Sequence, residues 1–175
     1  MIKVITGPMS SGKSARIIDI HEKVSQLRPI LSFKPVKDTR SSDITSRNGK
    51  EIAAISANSF TEIYQILKRS FYKDEIKDCI IDEIQFLDEE GMLDFVKFVK
   101  ENDINVYASG LNLTSELTPF QTFAYFSMYA DEIEFTKGKC IYCKGESEVT
   151  KCTVEKDSEI LVGDDIYVAT CYKCH

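Results

Sequence analysis

The chain has 175 residues, of which 43% are apolar and 29% charged, and it carries a formal net charge of −6. This composition is typical of a folded globular protein, and no stretch of about 18 apolar residues predicts a membrane-spanning helix. The acidic balance and the dispersed lysines and arginines disfavour nucleic-acid binding, so we expect a small-molecule ligand, no nucleic-acid partner and no membrane partner.

The first residues predict no export signal. Residues 1–7 lack a basic segment followed by an apolar stretch and a small-residue cleavage site. We therefore expect a cytoplasmic protein, in a reducing compartment where cysteines remain thiols.

Strand-like and helix-like patterns alternate through the first 135 residues. Short apolar runs predict strands at residues 2–6, 29–33, 51–57, 79–82, 104–109 and 131–135. Spacings of three and four predict three helices, with apolar faces formed by Ile17, Ile20, Val24 and Leu27, by Phe60, Ile63, Tyr64, Leu67 and Phe71, and by Met92, Phe95, Val96 and Val99. Residues 36–50 are predicted to form a mobile surface loop, and residues 111–130 are aromatic and irregular. Strands that alternate with helices indicate an α/β domain with a parallel sheet.

A glycine-rich segment follows the first predicted strand directly. Its residues, Gly7, Pro8, Met9, Ser10, Ser11, Gly12, Lys13 and Ser14, fit the pattern G-x-x-x-x-G-K-[ST] between a strand and a helix. The glycines let backbone N–H groups approach phosphates at the positive end of the helix, Lys13 can reach the outer phosphates, and the Ser14 hydroxyl can bind Mg²⁺. A chance Gly-Ser turn is the alternative, which this context disfavours. The segment predicts a phosphate-binding loop (P-loop) for a nucleoside triphosphate.

Two adjacent carboxylates end the buried apolar strand that is predicted at residues 79–82. P-loop proteins keep an acidic residue at such a strand end to hold magnesium, and Asp82 is the candidate. Neighbouring strand residues point in opposite directions, so Glu83 shares that task only if the strand has ended. Glu83 is predicted to be a general base; the alternative is that it merely caps the next turn.

Six cysteines are present, and four of them form two C-x-x-C pairs, Cys140 with Cys143 and Cys171 with Cys174. Four thiolates suit tetrahedral zinc and leave no open position for water, which predicts a structural zinc site. His175 is an alternative fourth ligand, although the equal spacing favours Cys174. The other two, Cys79 and Cys152, are predicted to be small core residues. We therefore divide the chain into a P-loop domain of residues 1–136 and a zinc ribbon of residues 137–175.

Together these blocks resemble the type II, cellular-type thymidine kinases along nearly the whole chain. The blocks are Gly7-Pro-Met-x-Ser-Gly-Lys-Ser, Lys34-Pro35-x-x-Asp38-x-Arg40, Asp82-Glu83-x-Gln85-Phe86, Gly110-Leu111-Asn112, Ala130-Asp131-Glu132, and Val162-Gly163 through Tyr167 to Cys171-x-x-Cys174-His175. The resemblance implies a P-loop fold whose zinc ribbon carries a lasso loop over a nucleoside. It also implies a homotetramer that transfers the γ-phosphate of ATP to the 5′-hydroxyl of thymidine or deoxyuridine.

The resemblance also implies roles for single residues. Glu83 would take the hydroxyl proton, while Lys13 and Arg40 would offset charge on the phosphoryl group, so these three are the catalytic candidates. Residues 7–14, Asp82 and Gln85 would bind ATP with Mg²⁺. The candidates for nucleoside binding are Met9, Asp38, Phe86, Leu111, Phe120, Leu161, Val162, Gly163 and Tyr167. The aromatic members are equally suited to plain core positions.

The chain departs from the family pattern at residues 112–118, which lack the usual Asp and the aromatic and basic residues after it. The substrate pocket is therefore expected to be altered. One alternative function is a nucleotide-binding protein without catalysis, which the intact set of Lys13, Ser14, Asp82 and Glu83 disfavours. Another is a P-loop ATPase or DNA-repair factor, which the acidic charge disfavours.

Overall fold

The computed structural model describes residues 1–38, 41–154 and 166–175, and its central feature is a six-stranded parallel sheet. The strands of this sheet are β1 (Ile2–Thr6), β2 (Leu31–Pro35), β5 (Ile55–Ala57), β6 (Asp78–Ile81), β7 (Asn105–Gly110) and β8 (Glu132–Phe135). The helices are α1 (Lys13–Ser25), α2 (Phe60–Asp74), α3 (Met92–Glu101) and α4 (Gln121–Ser127). Three antiparallel pairs join β3 (Ile44–Thr45) to β4 (Glu51–Ile52), β9 (Gly138–Lys139) to β10 (Glu146–Ser147), and β11 (Val149–Cys152) to β12 (Tyr167–Thr170). The predicted α/β class is confirmed.

The strand order β5-β2-β6-β7-β1-β8 places β1, the first strand of the chain, between β7 and the edge strand β8. From β1 the chain crosses through α1 to β2 on one side, whereas from β7 it crosses through α4 to β8 on the other. Neighbouring strands whose connections leave in opposite directions open a crevice beyond their carboxyl ends. The P-loop and Asp82 both follow strands at this edge.

The inner strands of the sheet, β1, β2, β6 and β7, are largely buried because other elements cover them on both faces. Val4 belongs to a core cluster with α2, α3 and α4, whereas the next residue, Ile5, belongs to a cluster with Ile17 and Ile18 of α1. Successive side chains of a strand point to opposite faces, so a strand covered on both sides is apolar throughout. This arrangement fixes β1 and α1, and thereby both ends of the P-loop.

Some predicted boundaries were wrong. Leu27, predicted to lie on the apolar face of the first helix, follows its end and is 82% exposed. The second strand begins at Leu31 and runs through Pro35, and the single strand predicted at 51–57 is two strands, β4 and β5. The end of β2 was missed because Lys34 is a polar residue at a buried strand position, and the break between β4 and β5 was missed because it falls on two apolar residues, Ala53 and Ala54.

Two stretches predicted to be irregular contain regular structure. Within residues 36–50, where the surface loop was predicted, β3 begins a hairpin whose Ile44 is 2% exposed and packs on the α1 side of the sheet. Residues 39 and 40 of this stretch lie outside the described residues. Residues 111–130 contain α4, which places Phe123 and Phe126 in the core. Elements this short carry too few apolar positions for a period to be recognised.

The last part of the chain consists of the short antiparallel pairs β9/β10 and β11/β12. The domain division at residues 136 and 137 stays a prediction. Of the two extra cysteines, Cys79 is fully buried, as predicted, whereas Cys152 is only half-buried at the end of β11. Across the described ranges, no helix has both the length and the apolarity that a membrane crossing needs.

Candidate active site

The P-loop turns tightly between β1 and α1. Gly12 has a φ of 89° at the helix start, and Gly7 has a φ of 149°. A Cβ atom at Gly7 would lie 2.2 Å from the backbone oxygen of Thr136, so no larger residue fits there. The Lys13 side chain is 7% exposed, and its Nζ donates to the backbone oxygens of Gly7 at 3.1 Å and Pro8 at 2.8 Å. The backbone of the predicted loop thus curves around the Lys13 ammonium group, and phosphates could approach this curve.

Two threonines from the end of the chain fix this loop, and neither was predicted. The hydroxyls of Ser11 and Thr136 lie 2.6 Å apart, and the Met9 N–H donates to Thr150 Oγ1 at 2.9 Å. Thr150 lies on β11, so the cysteine-rich ribbon holds the P-loop directly. These contacts join residues that lie 125 and 141 positions apart in the chain, so no local sequence pattern predicts them.

Replacing Thr150 by Val should loosen the P-loop. Valine keeps the shape but cannot accept the bond from the Met9 N–H, which we expect to cost about 1 kcal/mol in the free energy of unfolding. KM for a nucleoside triphosphate should rise about threefold to tenfold, and kcat should change less. Chemical denaturation and steady-state kinetics measure both, with Thr153→Val on the same ribbon as control. An unchanged KM would contradict the link.

Asp82 lies directly after β6, where it faces the first turn of α1. Its Oδ2 lies 3.4 Å from the Ser14 hydroxyl, and its Oδ1 accepts from the Ser109 hydroxyl and, at 3.0 Å, from the Glu83 N–H. Burial, and then the charge of Glu83, raise the pKa of Asp82 to about 6. A hydroxyl and a buried carboxylate at this spacing fit Mg²⁺, whose charge would favour ionised Asp82. Ser109 was not predicted; it reaches Asp82 because β7 pairs with β6.

Glu83 is buried, with 7% exposure, at the same edge of the sheet. The strand ends at Ile81, so strand alternation no longer separates the side chains of Asp82 and Glu83. Glu83 has a φ of 51°, an uncommon value for a residue with a side chain, and such backbone conformations are enriched at active sites. Its side chain makes no capping bond to the 3-10 turn Ile84–Phe86 that follows, which disfavours the capping alternative.

Phe86, Leu111 and Phe120, three of the residues predicted to bind a nucleoside, lie on or beside the turn that follows Glu83 and contains the predicted ATP-binding residue Gln85. Gln85 accepts at Oε1 from the Leu111 N–H at 3.1 Å. The rings of Phe86 and Phe120 meet edge to face, with centroids 6.3 Å apart, and Phe120 also packs against the core. The five apolar and aromatic candidates in the described ranges are all half-buried, which leaves each with surface for a ligand; they are Met9, Phe86, Leu111, Phe120 and Tyr167.

Asp38 forms a buried ion pair with Lys34 that was not predicted from the sequence. Its Oδ2 lies 3.1 Å from Lys34 Nζ, with side-chain exposures of 6% and 3%. Lys34 also donates to the backbone oxygens of Ser41 and Asp43. The pair fixes the start of the loop after β2, and the nucleoside-binding role of Asp38 stays a prediction. Four further candidates, Arg40, Leu161, Val162 and Gly163, lie outside the described residues.

The four predicted cysteine ligands meet in one cluster. The sulfur atoms of Cys140, Cys143, Cys171 and Cys174 all lie within 4.8 Å of one another. Cys143 and Cys171 are 3.8 Å apart, and sulfurs at about 2.3 Å from a tetrahedral zinc are separated by about 3.8 Å. The cluster therefore has the spacing that a metal ion requires.

The four thiols also affect one another's ionisation. The backbone N–H of Cys143 is the largest cause that lowers the pKa of Cys140 to about 6, whereas hydrogen bonding to Cys171, followed by burial, raises the pKa of Cys174 to about 12. A divalent cation would favour the thiolate at all four positions. His175 points elsewhere, with Nε2 at 3.0 Å from the Ser115 backbone oxygen.

Comparisons with known proteins match the full chain. A model of the thymidine kinase family matches residues 1–175. The thymidine kinase of Mesomycoplasma hyopneumoniae (strain 7448) is 34% identical over 180 residues, which cover 100% of this chain and 95% of the relative. The thymidine kinase of Mycoplasma mobile is 33% identical over 180 residues, which cover 100% of this chain and 86% of the relative. That of Bacteroides thetaiotaomicron is 30% identical over 178 residues, with coverage of 99% and 86%.

Proposed function

The chain belongs to the thymidine kinase family, and we propose that it transfers the γ-phosphate of ATP to the 5′-hydroxyl of thymidine or deoxyuridine. One observation supports this function above all: the P-loop, the buried carboxylates of Asp82 and Glu83, and half-buried apolar residues lie at one edge of the sheet. Phosphoryl transfer depends mainly on positioning and charge, and these groups supply both.

In the proposed step the 5′ oxygen attacks the γ-phosphorus while the Glu83 carboxylate accepts the hydroxyl proton. The bond between the γ-phosphorus and the bridging oxygen to the β-phosphate breaks, so the products are the nucleoside 5′-monophosphate and ADP. Lys13 and Arg40 would offset the charge on the phosphoryl oxygens as that bond breaks. The burial of Lys13 and Glu83 supports the assignment, because charges act more strongly where water is excluded.

Two metals are part of the proposal. When bound, Mg²⁺ neutralises charge on the β- and γ-phosphates. Ser14 and Asp82 would hold it, which is supported by their 3.4 Å contact. Zn²⁺ would be structural, held by Cys140, Cys143, Cys171 and Cys174, since four protein ligands leave no open position.

We also propose that the protein acts as a homotetramer in the cytoplasm. The proposal of a homotetramer is supported by large apolar side chains exposed at the end of α4 and on the edge strand β8, including Met128 directly after α4 at 82% and Phe135 on β8 at 68%. The cytoplasm supplies ATP, and its reducing conditions keep zinc-bound thiolates from forming disulfides. Light scattering of the purified protein measures the assembly.

The function is tested by supplying the purified protein with ATP, Mg²⁺ and, in separate reactions, thymidine, deoxyuridine, deoxycytidine, deoxyadenosine or deoxyguanosine. We expect kcat/KM for thymidine and deoxyuridine to exceed the others by about a hundredfold or more, because a site that pairs with the base leaves buried polar groups unpaired when the base is wrong. Preference for another nucleoside would contradict the expected specificity, and residues 112–118 would then be the first positions to exchange. No turnover with any nucleoside would contradict the proposal and favour nucleotide binding without catalysis.

A further inference from the structure

Gln85 occupies a buried position between the proposed base and the nucleoside side of the site. Gln85 belongs to the 3-10 turn after Glu83, and the residue is only 7% exposed. Gln85 Nε2 donates to Glu83 Oε2 at 2.6 Å, and Gln85 Oε1 accepts from the Leu111 N–H at 3.1 Å. One amide therefore joins Glu83 to the backbone at the end of β7.

The direction of the amide follows from its partners. A backbone N–H can only donate, so the amide oxygen must face Leu111 and the NH₂ group must face Glu83. A carboxylate that accepts from this NH₂ group gains a charge-assisted bond. The Leu111 N–H therefore fixes the orientation of the Gln85 amide, and its NH₂ group is directed at Glu83.

The space around the Gln85 amide is closed on the side of β7. A Cβ atom at Gly110 would lie 2.6 Å from Gln85 Oε1, 3.1 Å from Ile84 Cγ1 and 3.2 Å from Phe123 Cδ2. Distances this short require the neighbours to move. Gly110 thus lets the amide lie against the strand, and a larger residue would push it away from Leu111.

We propose that Gln85 is a positioning residue for Glu83, which aligns the carboxylate with the segment that begins at Leu111. The inference rests on the proposed function, since it takes Glu83 as the base and Leu111 as part of the nucleoside site. A base displaced by about 1 Å can lose a hundredfold in rate. Fixing one carboxylate oxygen restricts such displacement, and the shared amide ties the base to the backbone beside the acceptor nucleoside.

The decisive experiment is a double-mutant cycle of Gln85→Met and Glu83→Gln in the full chain, with thymidine and ATP. Methionine keeps the length of the side chain and removes both hydrogen bonds. We expect Gln85→Met alone to lower kcat about tenfold to a hundredfold, as loss of a hydrogen bond to a charged group does, with KM for ATP changed less than about twofold. In the Glu83→Gln background the same change should lower kcat no further, because residues that act as a unit are not additive.

Three results would overturn the inference. Equal losses in both backgrounds would mean that Gln85 acts independently of Glu83. A raised KM for ATP at unchanged kcat would assign Gln85 to ATP binding instead. Lack of thymidine turnover by the parent protein would refute the proposed function, and the inference with it.

Two further variants provide a control and an independent test. Gln65→Met, at an exposed position of α2, is the matched control and should keep the parent rate. Gly110→Ala should displace the amide without removing it and lower kcat in the same direction, again only while Glu83 is present. If Gln85→Met does not fold, as judged by thermal unfolding, Gly110→Ala decides the question by the same cycle.

Discussion

Glu83→Gln lowers kcat for thymidine by about a hundredfold or more while the dissociation constant for ATP stays within about twofold, because a general base contributes that much to a proton transfer. The carboxamide has the shape of the carboxylate but cannot take the hydroxyl proton. Its oxygen can still accept from Gln85 Nε2, which lies 2.6 Å from Glu83 Oε2 in the parent protein. The fold should therefore be kept. Steady-state kinetics and calorimetric titration with ATP measure the two quantities.

The control is Glu101→Gln, at the exposed end of α3, which makes the same chemical change away from the site. It should leave both kcat and ATP binding unchanged. If Glu83→Gln retained turnover within about threefold of the parent protein, another group would have to be the base. If ATP binding were lost together with turnover, Glu83 would have a role in the nucleotide site instead.

Cys171→Ser should release the metal and destabilise the fold. Cys171 belongs to the four-sulfur cluster and directly follows β12, which pairs with β11. Since loss of a metal site is among the most damaging single changes, we expect the free energy of unfolding to fall by about 4 kcal/mol or more. The effect should reach the P-loop, because Thr150 of β11 accepts from the Met9 N–H. KM should therefore rise for both thymidine and ATP.

Metal analysis and thermal unfolding of purified Cys171→Ser test this prediction, and Cys152→Ser is the matched control. Cys152 lies on β11 of the same ribbon but outside the four-sulfur cluster. The parent protein and the control should each contain about one zinc ion per chain, and the Cys171 variant much less. Full zinc content in that variant would mean that another residue, such as His175, can replace Cys171.

The parts of the site that could be predicted are those written in contiguous residues. Residues 7–14 form a loop between a strand and a helix, and that context is visible in the apolar run before it and the helical spacing after it. The two C-x-x-C pairs likewise carry their own spacing, so the meeting of all four sulfurs could be expected. Asp82 and Glu83 were recognisable because they directly follow a buried apolar run, which forms β6.

The elements that were missed are short and depend on distant partners. β3 is two residues long, and Ile44 is buried only because α1 lies beneath it. In α4, seven residues hold too few apolar positions to show a period, and Phe126 is buried by stacking on Phe60, 5.1 Å away. Such segments take their structure from the surface that covers them, which local propensity does not encode.

By itself, the sequence determined the α/β class, the P-loop, the acidic strand end and the four-cysteine cluster, because each is a local pattern of residue types at fixed spacing. Only the tertiary structure decided which groups hold these parts in place. The pairing of β6 with β7 brings Ser109 to Asp82, the end of β7 brings the Leu111 N–H to Gln85, and the ribbon brings Thr150 to Met9. These contacts join residues 26 to 141 positions apart, and they exist because strand order and register, not neighbouring residues, set which side chains meet.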